Sequence, residues 1–188
     1  MRACAECSLC CTVLRVDELR KLGGVPCREL RAPGPGGGCC GIHQRRPSVC
    51  RAYRCLWLQG GLEEGDRPDR LGAVLDVVTA GAQTRLEIHE AQPGSFERSP
   101  RLRELAERYR SAMPVRILDV GDVLDPERPY RILLPAMSTD GSARAELLVQ
   151  GERISELRDG VVVAERRLPW LERLLRRATI AWRRRRFR

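Results

Sequence analysis

Nine cysteines stand at positions 4, 7, 10, 11, 27, 39, 40, 50 and 55, and the following 133 residues contain none. No other feature constrains the fold of this chain as strongly. Residues 1–60 offer few large apolar side chains beyond Leu14, Val16, Leu19, Leu22, Leu56, Trp57 and Leu58. A lobe that small needs a staple. In a reducing compartment thiols stay free, so the crowding points to metal rather than disulfides. An odd count also argues against a closed disulfide framework, which export would make competitive. The opening residues lack the apolar h-region of a secretory signal, and no run approaches the roughly 18 apolar residues of a membrane span. The expected location is cytoplasmic.

Charge carries less information than its size suggests. Of 34 basic and 25 acidic residues, ten arginines and the single acid Glu172 lie in 166–188, so the other 165 residues are balanced. The basic residues are all arginine except Lys21, as expected of a compositionally biased genome rather than of a phosphate-binding face.

Three segments follow: a cysteine-cluster lobe over 1–60, a β-rich lobe with one helix over 61–165, and a basic helix and tail over 166–188. The first two are expected to form one compact unit. In the first, 17–22 before Gly23-Gly24 reads as a short helix with an acidic start and a glycine stop. The glycine-rich 31–38 reads as a flexible loop. Pro47 is placed to open a helix carrying Cys50, Arg51 and Tyr53, and reaching toward Cys55. In the second, 72–79, 84–89, 115–120, 130–134, 145–150 and 160–164 are short branched or alternating runs that read as strands. Ser99-Pro100 opens a helix whose Leu102, Leu105, Ala106 and Tyr109 share one face. In the third, Leu171, Leu174, Leu175, Ala178 and Trp182 form an apolar stripe, expected to pack on the body and leave 183–188 solvated. The fold class is α+β: a small cysteine-rich metal-binding lobe docked on a β-rich lobe, with a C-terminal amphipathic helix.

The cysteine spacing carries the chemistry. Cys4-x2-Cys7-x2-Cys10 repeats a two-residue spacer that lets a tight turn aim successive thiolates at one ion, as in zinc knuckles and iron–sulfur loops. Cys11 adjoins Cys10, and neighbouring side chains diverge, so the pair serves different ions or bridges two. Soft thiolates select zinc, copper(I) or iron–sulfur over magnesium or calcium.

The run Cys4-x2-Cys7-x2-Cys10-Cys11, then Cys27, then Cys40-Gly41-Ile42-His43-x2-Arg46-Pro47-x2-Cys50-Arg51-x-Tyr53-x-Cys55-Leu56-Trp57-Leu58, resembles the cysteine-cluster family of zinc- or iron-chelating domains, the YkgJ-like proteins. Arg67-Pro68-Asp69-Arg70-Leu71-Gly72 resembles the sequence that follows the cluster in many members. The resemblance covers about residues 4–80. It implies a metal site built from Cys4, Cys7, Cys10, Cys11, Cys27, Cys40, Cys50 and Cys55, holding zinc or iron, the latter alone or as an iron–sulfur cluster. Cys39 is an extra thiol beside Cys40, and His43 stands where an aromatic residue is common.

Around those residues several readings stay open. Cys39 could replace Cys40, although Cys40-Gly41-Ile42 is the better match. His43 reads as a surface or packing residue more readily than as a ligand, and His89, in a strand-like run, as structural. Arg46 and Arg51 either pair with Asp17 or Glu18 or offset thiolate charge. Tyr53 and Trp57 read as hydrophobic cover.

The sequence marks no catalytic residue. It has no phosphate loop, no His-Glu-x-x-His and no deaminase His-x-Glu. Three functions compete. The first is a metal-binding protein whose site is structural or handles metal, with an unknown protein client. The second is an iron–sulfur enzyme, electron carrier or protein-modification accessory, since the cysteine pattern is similar to the N-terminal part of a flagellin lysine methylase. The third is a nucleic-acid-binding zinc module, with the arginine tail meeting nucleic acid or anionic lipid; it lacks the aromatic–basic interleaving that stacks bases.

Overall fold

The computed structural model describes residues 2–4, 7–32, 39–122, 125, 128–135 and 145–186. The glycine-rich stretch 33–38 lies outside them, as do Phe187 and Arg188. The chain is an α+β protein built on one seven-stranded sheet whose strands follow chain order. These are β1 (Ala73–Ala80), β2 (Gln83–Glu90), β3 (Val115–Leu118), β4 (Tyr130–Leu133), β5 (Ala145–Gln150), β6 (Arg153–Arg158) and β7 (Val161–Arg167). All neighbours pair antiparallel except β2 and β3. A parallel pair needs a crossover. Here it is supplied by α4 (Ser95–Arg98) and α5 (Pro100–Arg110).

The start of α5 follows its sequence signals. Ser99 Oγ accepts from Leu102 N at 3.2 Å, and Pro100 occupies the first turn, where its missing N–H costs nothing. Leu102, Leu105 and Ala106 are then fully buried. They belong to one apolar cluster with Leu75, Leu86, Ile88, Val115, Ile117 and Leu133. Cross-strand register puts those strand residues on one sheet face, because Leu75 opposes Ile88 and Ile88 opposes Ile117.

The edge strand β1 is buried on both faces over Ala73, Val74 and Leu75. Its second cover is the cysteine lobe. Val13, Cys55, Leu56, Trp57 and Leu62 join the same cluster, and Leu56 N donates to Leu75 O at 2.9 Å, closing an otherwise open sheet edge. The lobe is further pinned to the β3–β4 connection. Asp122 accepts from Gly23 N at 2.7 Å and from Arg15 Nη1 at 2.8 Å. A Cβ on Gly23 would sit 2.9 Å from the Gly121 carbonyl oxygen, so Gly23 serves close approach rather than a helix stop.

Several local expectations are revised. Residues 17–22 do not form a helix. Asp17–Leu19 is a 3₁₀ turn ended by Arg20 in the left-handed region (φ 48°), and Lys21 bridges back to Val16. The helix at Pro47 is α2 (Ser48–Ala52), which carries Cys50 and Arg51 but ends before Tyr53 and Cys55. Gly60-Gly61 and the first strand β1 are not contiguous. A 3₁₀ turn at Glu64–Asp66 and the short helix α3 (Pro68–Leu71) intervene. β6 went unread because Arg153–Arg158 mixes charge with two apolar residues.

The C-terminal helix, α6 (Trp170–Arg186), corrects the packing expected of its stripe. Trp170, Leu171, Leu174, Leu175 and Trp182 are 52–69% exposed. The helix is held through its polar side instead: Arg173 and Arg177 pair with Glu152, and Arg176 donates to Gly151 O at 2.9 Å. Along β7 every residue is exposed. No helix among the described residues is long and apolar enough to cross a membrane.

Candidate metal centre

The cysteines arrive from five segments that meet around α1 (Leu9–Val13). None of the nine is in a disulfide. Cys4 is exposed, Cys55 is buried, and Cys7, Cys10, Cys11, Cys27, Cys40 and Cys50 are half-buried.

The chain start is fastened first. Arg2 Nη1 donates to Trp57 O at 2.8 Å and Leu62 O at 2.7 Å, and the guanidinium lies 5.1 Å from the Trp57 ring centre. That clamp lays Cys4 beside Cys55. Cys7 N then donates to Cys4 O at 2.7 Å, forming the tight turn that the two-residue spacer implies. Cys10 follows on α1 and packs against the core cluster.

Two sulfurs on this side receive backbone amides. Cys7 is hydrogen-bonded by the amides of Leu9 and Asp69, and Cys55 by those of Leu58 and Trp57. Burial pushes both thiols up, and these amides work against it. Amides aimed at sulfur favour the thiolate. The Asp69 amide belongs to the first turn of α3, so Arg67-Pro68-Asp69-Arg70-Leu71-Gly72 supports the cluster directly. The Tyr53 hydroxyl is buried beside the Asp76 carboxylate, whose pKa it lowers by hydrogen bonding. Burial first, then the charges of Asp76, Cys55, Cys10 and Cys4, raise the Tyr53 pKa.

The other side of α1 is electropositive. Cys10 and Cys11 share a side-chain hydrogen bond, which lowers the Cys11 pKa and raises that of Cys10. Lys21 and Arg46 also act on Cys11 in that direction. Lys21 is 6% exposed, and its Nζ donates to Thr12 O at 2.9 Å, Leu22 O at 3.0 Å and also to Leu14 O. Lys21 is thus the buried charge at the candidate site that sequence reasoning missed. Its signal was available, since it is the only lysine in an arginine-rich chain.

Cys27 N donates to Cys11 O at 3.0 Å, Leu30 N to Cys27 O at 3.0 Å, and Leu30 pairs with Cys40 in an isolated bridge. Cys50 is raised first by burial and then by the charges of Cys11, Glu18, Cys27 and Cys40. Glu18 accepts from Ser48 Oγ at 3.0 Å, tying α2 to the Asp17–Leu19 turn. Arg46 therefore faces a thiol, whereas Arg51 is exposed and makes no ion pair among the described residues. Cys39 is buried beside Arg31, whose N donates to Cys39 O at 2.8 Å. His43 is exposed on a 3₁₀ turn. His89 is buried in β2 with Nε2 3.3 Å from Glu87 Oε2, a structural role.

Among the described residues no three ligand-type side chains stand at coordination distance of one another. The thiols act on one another electrostatically. No family of known proteins, no curated protein and no solved structure matches this chain.

Proposed function

We propose that this is a metal-binding protein whose cysteine lobe holds zinc or iron through Cys4, Cys7, Cys10, Cys11, Cys27, Cys40, Cys50 and Cys55. The observation that carries the reading is the backbone pairing that gathers the cysteine segments, with Cys7 N on Cys4 O, Cys27 N on Cys11 O and Leu30 bridged to Cys40. The amides on Cys7 and Cys55 and the resemblance to the zinc- or iron-chelating cysteine-cluster family support it. Metal bound there would fasten the lobe over β1, supplying stability that the sparse apolar content cannot. Free thiols in this number fit a reducing, cytoplasmic setting.

Elemental analysis per chain after anaerobic purification tests the proposal. Zinc or iron at one equivalent or more is expected. A colourless protein assigns zinc, and a brown one assigns an iron–sulfur cluster and the electron-transfer or modification role. A folded chain with all thiols free and no metal overturns it.

A further inference from the structure

A surface helix ordinarily turns its apolar stripe to the core and its charges to solvent. α6 does the reverse. Arg173, Arg176 and Ile180, three and four residues apart, are its partly covered positions, and Arg173 and Arg177 pair with Glu152. Trp170, Leu171, Leu174, Leu175 and Trp182 are each more than half exposed. Adjacent exposed apolar side chains rimmed by charge mark a contact surface. Charge decides what covers it. Residues 166–188 hold ten arginines against the single acid Glu172. A second copy docked stripe to stripe would double that charge within one interface, and a nucleic acid would leave the leucines in water. An anionic bilayer surface satisfies both the stripe and the arginines.

The sheet beside the helix supplies an independent observation. Arg153 of β6 stands directly opposite Arg167 of β7. Like charges facing each other across a strand pair repel, and neither arginine makes an ion pair among the described residues. The two line a shallow recess with Gln150, Gly151 and Glu152, whose carboxylate is already held by Arg173 and Arg177. A phosphate group there would relieve the opposition. We propose that α6 and the Arg153–Arg167 recess form a docking surface for anionic phospholipid. α6 is not apolar enough to cross a bilayer, so it lies along the surface with its stripe at the boundary between headgroups and acyl chains. Arg153 and Arg167 meet the lipid phosphates beside it.

The test is flotation of the full-length chain with vesicles of phosphatidylcholine alone and of phosphatidylcholine mixed with phosphatidylserine. Binding to the anionic vesicles is expected to be more than about tenfold tighter and to weaken as salt is added. Tryptophan emission should then shift to shorter wavelength. Trp57 is already buried, so the shift reports Trp170 and Trp182. Leu171→Gln, Leu174→Gln and Leu175→Gln combined keep the helix propensity and should weaken binding by more than about tenfold. Arg153→Gln with Arg167→Gln should weaken binding to the anionic vesicles only. Circular dichroism and a urea midpoint matching the native chain establish that both variants fold. Absence of vesicle binding by the native chain overturns the proposal, as does unchanged binding by the leucine variant. Unchanged binding by the arginine variant overturns the part played by the recess. A dimer in light scattering that the leucine variant abolishes overturns the proposal in favour of a second copy. Binding to duplex DNA but not to vesicles overturns it in favour of nucleic acid.

Discussion

Lys21 is the residue on which the outer part of the cysteine lobe turns. Its ammonium satisfies three carbonyls that close the loop from Thr12 to Leu22 and interacts with the charges of Cys27, Cys11 and Cys10. Lys21→Met keeps the volume and orphans those carbonyls, so a loss of about 2–3 kcal/mol is expected in urea unfolding of the metal-loaded chain. Bound zinc should also be competed away more readily. Unchanged urea midpoint and zinc competition would show that the ammonium is replaceable. Glu87 makes a second residue-scale prediction. Burial alone would raise its carboxyl, but hydrogen bonds from His89 and Arg85 reverse this and hold it at about 2 against an ordinary 4.5. A carboxyl lowered on folding stabilises the native state above its unfolded pKa and loses that contribution as acid is added. For a side chain this buried the contribution is on the order of 2–3 kcal/mol. Glu87→Gln should therefore be less stable than the native chain near neutrality, with the gap closing between pH 4.5 and about 2. A gap independent of pH would assign the effect to packing.

Among the elements, α6 and β1 are opposites. β1 is covered on both faces and along its edge, whereas α6 leaves its tryptophans and leucines in solvent and touches the body through arginines on Glu152 and Gly151. Exposed ion pairs of this kind contribute little. Removing 170–188 is expected to leave both the urea midpoint and the metal content unchanged. A marked fall in the midpoint would show that the apolar stripe is covered in solution.

At the scale of the molecule, the cysteine lobe and the sheet share one apolar cluster, so they should melt together. Val13, Cys55, Leu56 and Trp57 lie in that cluster with the strand residues. Calorimetry of the metal-loaded protein should give a single transition, and chelation should lower its midpoint and open 2–58 to protease. Two transitions, or an unchanged protease pattern after complete metal removal, would separate the lobe from the sheet and make the metal dispensable to the fold.

Much of this was legible in the sequence because its causes are local. Alternation marked five of the strands within a residue or two and a sixth by its first half, and Ser99-Pro100 with the Leu102–Leu105–Ala106 face marked α5. The spacing of the cysteines identified the candidate ligands. By itself the sequence therefore determined the α+β inventory and the residue types available for metal. Only the tertiary structure decided the rest, because those outcomes depend on closing chain segments that no short window contains. It brought the Asp69 amide to Cys7, buried Lys21 and made Gly23 a contact with Gly121. The exposed stripe of α6 has the same origin: periodicity shows that a helix has an apolar face, and packing alone decides what that face meets.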